Sequence, residues 1–212
     1  LHLDIGGAQP FSIDFFTFMF IGIIPWFFIQ DSITQGAKEL RINRQFITKV
    51  KFPVSTILTY TEVSRLFVHL ILMAFMYAYV LFTIGPSWYN LQFFLYCPLM
   101  FIFFLALTWS TAPMSAFSKD VESLIVSVMS GIFWLSGIMY NSYGFDSPFL
   151  NKLMLINPIN FFVNGYRNCF LYNRPFYANK TECLVFAIEF VVIFALGIFN
   201  YNRLRKKLPD VL

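Results

Sequence analysis

Apolar residues in this chain gather into long runs instead of recurring on one face of short helices or on alternate positions of strands. Leu66 to Ile84, Leu91 to Phe117, Ser123 to Phe145 and Cys183 to Asn202 each suit a helix crossing hydrocarbon, which needs roughly 20 residues. A fifth run, Phe15 to Gln30, is shorter and is extended by Ile13, Ser32 and Ile33. The run from Leu91 has no charged residue, and the last has only Glu189. Pro25, Pro98, Pro113, Gly131, Gly137 and Gly197 fall inside these runs, where neighbouring helices can re-satisfy the backbone. The pattern predicts an all-α membrane protein with spans at 13–34, 56–84, 91–117, 120–140 and 183–203.

Composition agrees with that pattern. The chain is 58% hydrophobic and 12% charged, against about 25% charged in an ordinary soluble domain. Its basic residues fall in two places, the stretch from Lys38 to Lys51 and the tail Arg203 to Lys207. Short loops rich in Lys and Arg stay in the cytoplasm, and the four later crossings put both segments on one side. Residues 1–14, 85–90 and 141–181 are then outside, and the short loop 118–122 is cytoplasmic. The net charge of +4 follows from this topology and does not imply nucleic acid. Cys97, Cys169 and Cys183 show no metal-binding spacing. Cys169 and Cys183 could meet on the outer side, with buried thiols the simpler reading. Leu1 opens the sequence without a signal-peptide pattern, so a longer parent chain is expected.

Between the spans lie two less regular segments. Residues 36–52 mix Leu40, Ile42, Phe46, Ile47 and Val50 with Arg41, Arg44, Lys49 and Lys51, which predicts an amphipathic helix, with Pro53 ending it. It is either an interfacial helix on anionic lipid or a docking helix for a cytosolic partner. Residues 149–175 hold two stretches, Phe149–Ile156 and Ile159–Tyr172, too short to cross and too apolar for water, as in re-entrant helices. Asn157-Pro158 between them suits a cap and a first helical position.

The Asn157-Pro158 step followed by Asn164-Gly165-Tyr166-Arg167-Asn168 resembles the signature of ABC-2 exporter permeases that move lipid-linked polysaccharides. Lys51-Phe52-Pro53 and Lys119-Asp120 are similar to further steps of that family, Lys119 standing where Arg is usual. Trp26 to Gln30, Thr59-Tyr60 and Ser64-Arg65 look most like the wall teichoic acid exporters. The resemblance covers the chain from Ile21 onward and lies in the ordered set of motifs, not in any one. It implies an ABC-2 (type V) exporter transmembrane domain with five of six spans present, an interfacial helix and one span lying before it. It further implies a homodimer in a bacterial plasma membrane with two ATP-binding subunits and a lipid-linked polymer as substrate. This sequence has no GxxxxGK[ST] phosphate loop, so ATP and Mg would sit on the partner and no cofactor on this chain. The segment 36–52 becomes a coupling helix, with Arg41, Arg44, Phe46, Lys49 and Lys51 as docking residues.

Glu62, Arg65 and His69 share one helical face at i, i+3 and i+7. The first two form an ion pair near the interface, or Arg65 attracts a phosphate of the substrate. Arg167 and Arg174 either steady a leaving polymer or anchor the outer helices to headgroups. Phe161, Phe162 and Tyr166 are candidates for an exit gate, while Trp26, Trp88 and Tyr89 suit an interfacial aromatic belt. Glu189 is expected to be protonated or paired with Lys152 or another outer group. O-antigen and capsule exporters share this layout. A multi-span membrane enzyme is the competing class, against which stands the lack of HExxH, GxSxG or paired carboxylates within a span. A channel would need a filter or charged ring that is not seen.

Overall fold

The computed structural model describes residues 14–50, 52–143 and 147–208, and every regular element among them is helical. In chain order these are α1 (Phe15–Ile42), α2 (Arg44–Thr48), α3 (Val54–Thr83), α4 (Phe93–Phe117), α5 (Lys119–Trp134), α6 (Pro148–Ile156), α7 (Pro158–Phe170) and α8 (Lys180–Leu204), with 3₁₀ turns at Trp88–Gln92 and Arg205–Lys207. Among the described residues four helical stretches are long and apolar enough to span a bilayer, with mean hydropathy between 1.5 and 2.4. They contain α1, α3, α4 and α8. The chain is a multi-pass membrane protein.

Its centre is α1. This helix runs antiparallel to α3, in a register set by Thr17 on Tyr79, Phe28 beside His69 and Glu39 on Arg65. It packs on α4 through Thr108, whose hydroxyl donates to the Ser32 carbonyl at 3.2 Å. Against the other side of α4 lies α8, so close that the Ala106 backbone fills the space a side chain at Gly197 would need. The Ser55 amide of α3 donates to the Tyr201 hydroxyl of α8 at 3.0 Å. This contact brings the basic turn Arg205–Lys207 beside α2, so both basic segments share one end of the bundle. By the positive-inside rule it is the inner end.

Three boundaries differ from the sequence-based expectation. The first span does not stop at residue 34, because α1 runs on to Ile42 and has 28 residues in all, about 42 Å. Consequently 36–52 is not one amphipathic helix. Its first turns complete α1, the chain bends at Asn43, and α2 has only 5 residues. Asn43 fixes that bend by donating from its side chain to the Glu39 carbonyl and carboxylate at 3.0 and 2.8 Å. The expected span 120–140 is also divided. Helix α5 has 16 residues, about 24 Å, against roughly 30 Å of hydrocarbon. It unwinds after Trp134 into turns where Gly137 has φ +63°.

Candidate functional site

The unwound end of α5 lies against α1 at the level of Phe18, so its carbonyls need internal donors. The motif Asn157…Asn168 provides them. Asn157 caps α7 by accepting from the Ile159 amide at 3.0 Å, and its amide nitrogen donates to the Leu135 carbonyl at 3.0 Å. Arg167 donates to the carbonyls of Gly137 and Ile138, both at 2.6 Å, with its guanidinium 3.5 Å above the Phe18 ring centre. A side chain at Gly22 would meet that guanidinium at 2.6 Å. Asn164 donates to Ser142 and to buried Glu182, whose second oxygen accepts from the Tyr143 hydroxyl at 2.8 Å.

These contacts correct several expectations. Arg167 is 1% exposed and reaches neither the outer surface nor headgroups, because backbone carbonyls engage both terminal nitrogens. Phe162 and Tyr166 are core residues without solvent exposure. Tyr166 bonds His69 at 2.8 Å, tying α7 to α3. Phe161 stacks on Phe186 of α8, ring centres 4.0 Å apart. None of the three is a lining residue of the two grooves described below. Trp26 is buried against Phe133 and is not an interfacial residue, whereas Trp88 is 87% exposed. Half-buried Glu189 forms no ion pair among the described residues, and all three cysteines are free.

At the inner end a second polar cluster joins α1, α3, α4 and α5. Arg65 bridges Glu39 at 2.7 Å and Glu62 at 3.0 Å. Two carboxylates surround one guanidinium, leaving Arg65 no surplus positive charge for a phosphate. Arg41 donates to the Glu122 carboxylate at 2.6 Å and to the Ser115 carbonyl. It therefore points into the bundle and not toward a docking partner. Arg44, Phe46 and Lys49 are exposed, and the expected contribution of Lys51 lies outside the described residues. Beside α2 is a groove of about 510 Å³ between Ile47, Phe52, Tyr201, Arg205 and Lys206.

The cleft that sequence reasoning did not single out runs between α1 and α5. Its volume is about 580 Å³, and it is lined by Trp26, Phe27 and Phe133 together with Gln30, Gln35 and Lys38. Gln30 and Asp31, just past the midpoint of α1, are both exposed, as is Gln35. Polar side chains at such depth face a bundle interior or a water-filled path, not lipid. The signal was present as Gln30, Thr34 and Lys38 at i, i+4 and i+8, but it reads equally as the end of a span.

No protein-family model matches the chain. It is similar to the O-antigen export system permease protein RfbA of Myxococcus xanthus, 25% identical over 189 residues that cover 88% of this chain and 72% of that protein. The similarity supports the polysaccharide-exporter family suggested by the motifs and a place in the cell membrane.

Proposed function

We propose that this chain is the permease subunit of an ATP-driven polysaccharide exporter and that the α1–α5 groove is one half of the polymer's path. The observation that carries the reading is the exposure of Gln30 and Gln35 on the groove wall, within the long apolar helix α1. Amide side chains offer donors and acceptors to sugar hydroxyls, and the rings of Phe27 and Phe133 offer apolar faces beside them. Many weak contacts of this kind hold a glycan without trapping it. A second copy facing the groove would shield it from lipid, which makes a homodimer the natural assembly.

Energy would come from two copies of a separate ATP-binding subunit, with ATP and Mg bound there. The exposed residues Arg44, Phe46 and Lys49 of the inner face would receive it. The substrate class is a lipid-linked polysaccharide. The name of the Myxococcus relative favours an O-antigen-type glycan, while a wall teichoic acid rests on the local likeness around Trp26 to Gln30.

The test is complementation. Co-expressed with its ATP-binding partner in cells lacking an O-antigen exporter, the chain should restore surface polysaccharide. Gln30→Leu with Gln35→Leu should cut surface polymer at least about tenfold at equal membrane levels, equivalent to ~1.4 kcal/mol in the transport barrier. Full export by that double variant would remove the groove from the path. Failure of the unaltered pair in O-antigen and teichoic acid hosts alike would refute the exporter reading.

A further inference from the structure

We infer that the Arg41–Glu122 ion pair is the latch that closes the inner mouth of the α1–α5 groove and releases when the segment after it is pushed; this rests on the exporter reading. The placement is geometric. Lys38 is the innermost groove residue on α1 and Val126 the innermost on α5. Arg41 stands three residues beyond Lys38 and Glu122 four before Val126, each about one helical turn further inward. The 2.6 Å bond between them therefore bridges the two helices that flank the groove, immediately past its end. A second bond from Arg41, to the Ser115 carbonyl, holds the end of α4 in the same closure.

The two ends of α5 are held unequally. Of its 16 residues only Met129 is buried, and Ile125, Ile132 and Phe133 pack on the core beside it, so the first turns of the helix have little packing to keep them against α1. Its outer continuation is fixed by Asn157 and by Arg167, the latter fully enclosed. The inner end depends on a pair whose side chains are 27% and 22% exposed, where water and salt compete with the bond. A force on α5 should therefore swing its inner end while the outer end holds. Arg41 precedes α2 by the bend at Asn43, so displacement of α2 acts first on the Arg41 side chain. Ser118 is the single residue between α4 and α5, so the inner end of α5 moves together with the end of α4. When Arg41 lets go, α1 separates from α4 and α5 at the mouth and the groove opens toward the side where substrate is made. Arg41 and Glu122 are positioning residues, acting through the helices they join.

Charge reversal tests this with two separate readouts. Cysteines placed at Lys38 and Val126, in a Cys183→Ser background, report mouth width through the yield of a short bifunctional thiol crosslinker. Arg41→Glu or Glu122→Arg should lower that yield at least threefold in the assembled complex, and the double reversal should restore it. In otherwise unaltered protein, each single reversal should cut export per ATP hydrolysed at least fivefold, with recovery in the double. Arg41→Gln gives a milder variant if a reversal impairs folding, and it should show the same direction. Unchanged crosslinking in Arg41→Gln and both single reversals, or no recovery in a folded double reversal, overturns the latch. If crosslinking follows the charges but no form of the complex exports polysaccharide, the latch stands and the exporter reading falls.

Discussion

Arg65 and Arg167 are both withdrawn from water, yet they are accommodated in opposite ways. Arg65 lies between two carboxylates from two helices, whereas Arg167 rests on backbone carbonyls and an aromatic ring. A charge-paired cluster loses balance when any one member is removed, because the others remain buried. A carbonyl-bound guanidinium instead holds together backbone that has left its helix. The first arrangement fixes how helices sit together at the inner end; the second makes it possible for α5 to end short and still continue at depth.

The largest effect is expected at Arg167. Arg167→Leu would strand the carbonyls of Gly137 and Ile138 in an apolar interior, where each unsatisfied group costs about 1–3 kcal/mol. The folded fraction recovered in detergent should collapse, and a thermal-unfolding midpoint should fall steeply. Arg167→Lys should recover only part of it, since one ammonium does not reproduce a fork that spans two carbonyls. Recovery equal to the original protein would mean that other donors hold the unwound turn.

Arg65→Gln comes next. It leaves Glu39 and Glu62 buried without their shared cation, a loss of about 3–5 kcal/mol for breaking a buried pair. The comparison can be sharpened here, because Arg65→Gln combined with Glu62→Gln should regain stability that no second substitution of a carboxylate restores to Arg167→Leu. Melting curves of the four variants decide it. A double variant no more stable than Arg65→Gln would show that the two carboxylates do not constrain one another.

The same contrast explains what could be read from sequence. Glu62 and Arg65 are three positions apart on one helix, so their pairing follows from helical spacing. Asn157-Pro158 likewise announces a cap and a first turn, and both are found in α7. The long apolar runs marked α3, α4 and α8. Glu39 could not be assigned to Arg65 because it comes from another helix, 26 residues away. Arg167 looks like an outward-facing charge in the sequence because its partners are main-chain carbonyls, which leave no mark there. The α1–α5 groove was hidden for a related reason. The apolar run ends at Gln30, so the sequence shows a span closing there, and only the full length of α1 carries Gln30 and Gln35 inside the helix.

Tyr166→Phe should have a smaller consequence. It removes the hydrogen bond to His69 and keeps the ring against Phe93 and Phe170, which suggests about 1 kcal/mol. A modest drop in the unfolding midpoint with export retained would identify the tyrosine as packing between α3 and α7. Loss of export at unchanged stability would instead return it to the gate.

Arg41→Gln should be the mildest of these for stability and among the most severe for transport, and that dissociation is the informative result. Its partner Glu122 keeps access to water, as does Arg41 itself, so the bond contributes only about 0–1 kcal/mol. Ser118 still caps α5 by accepting from the Asp120 amide at 3.2 Å. No buried charge is left unpaired, in contrast to the Arg65 substitution. The unfolding midpoint should therefore barely move while polymer exported per ATP falls. A drop in midpoint as large as that of Arg65→Gln would make Arg41 another member of the rigid inner cluster, and α5 would then be clamped at both ends.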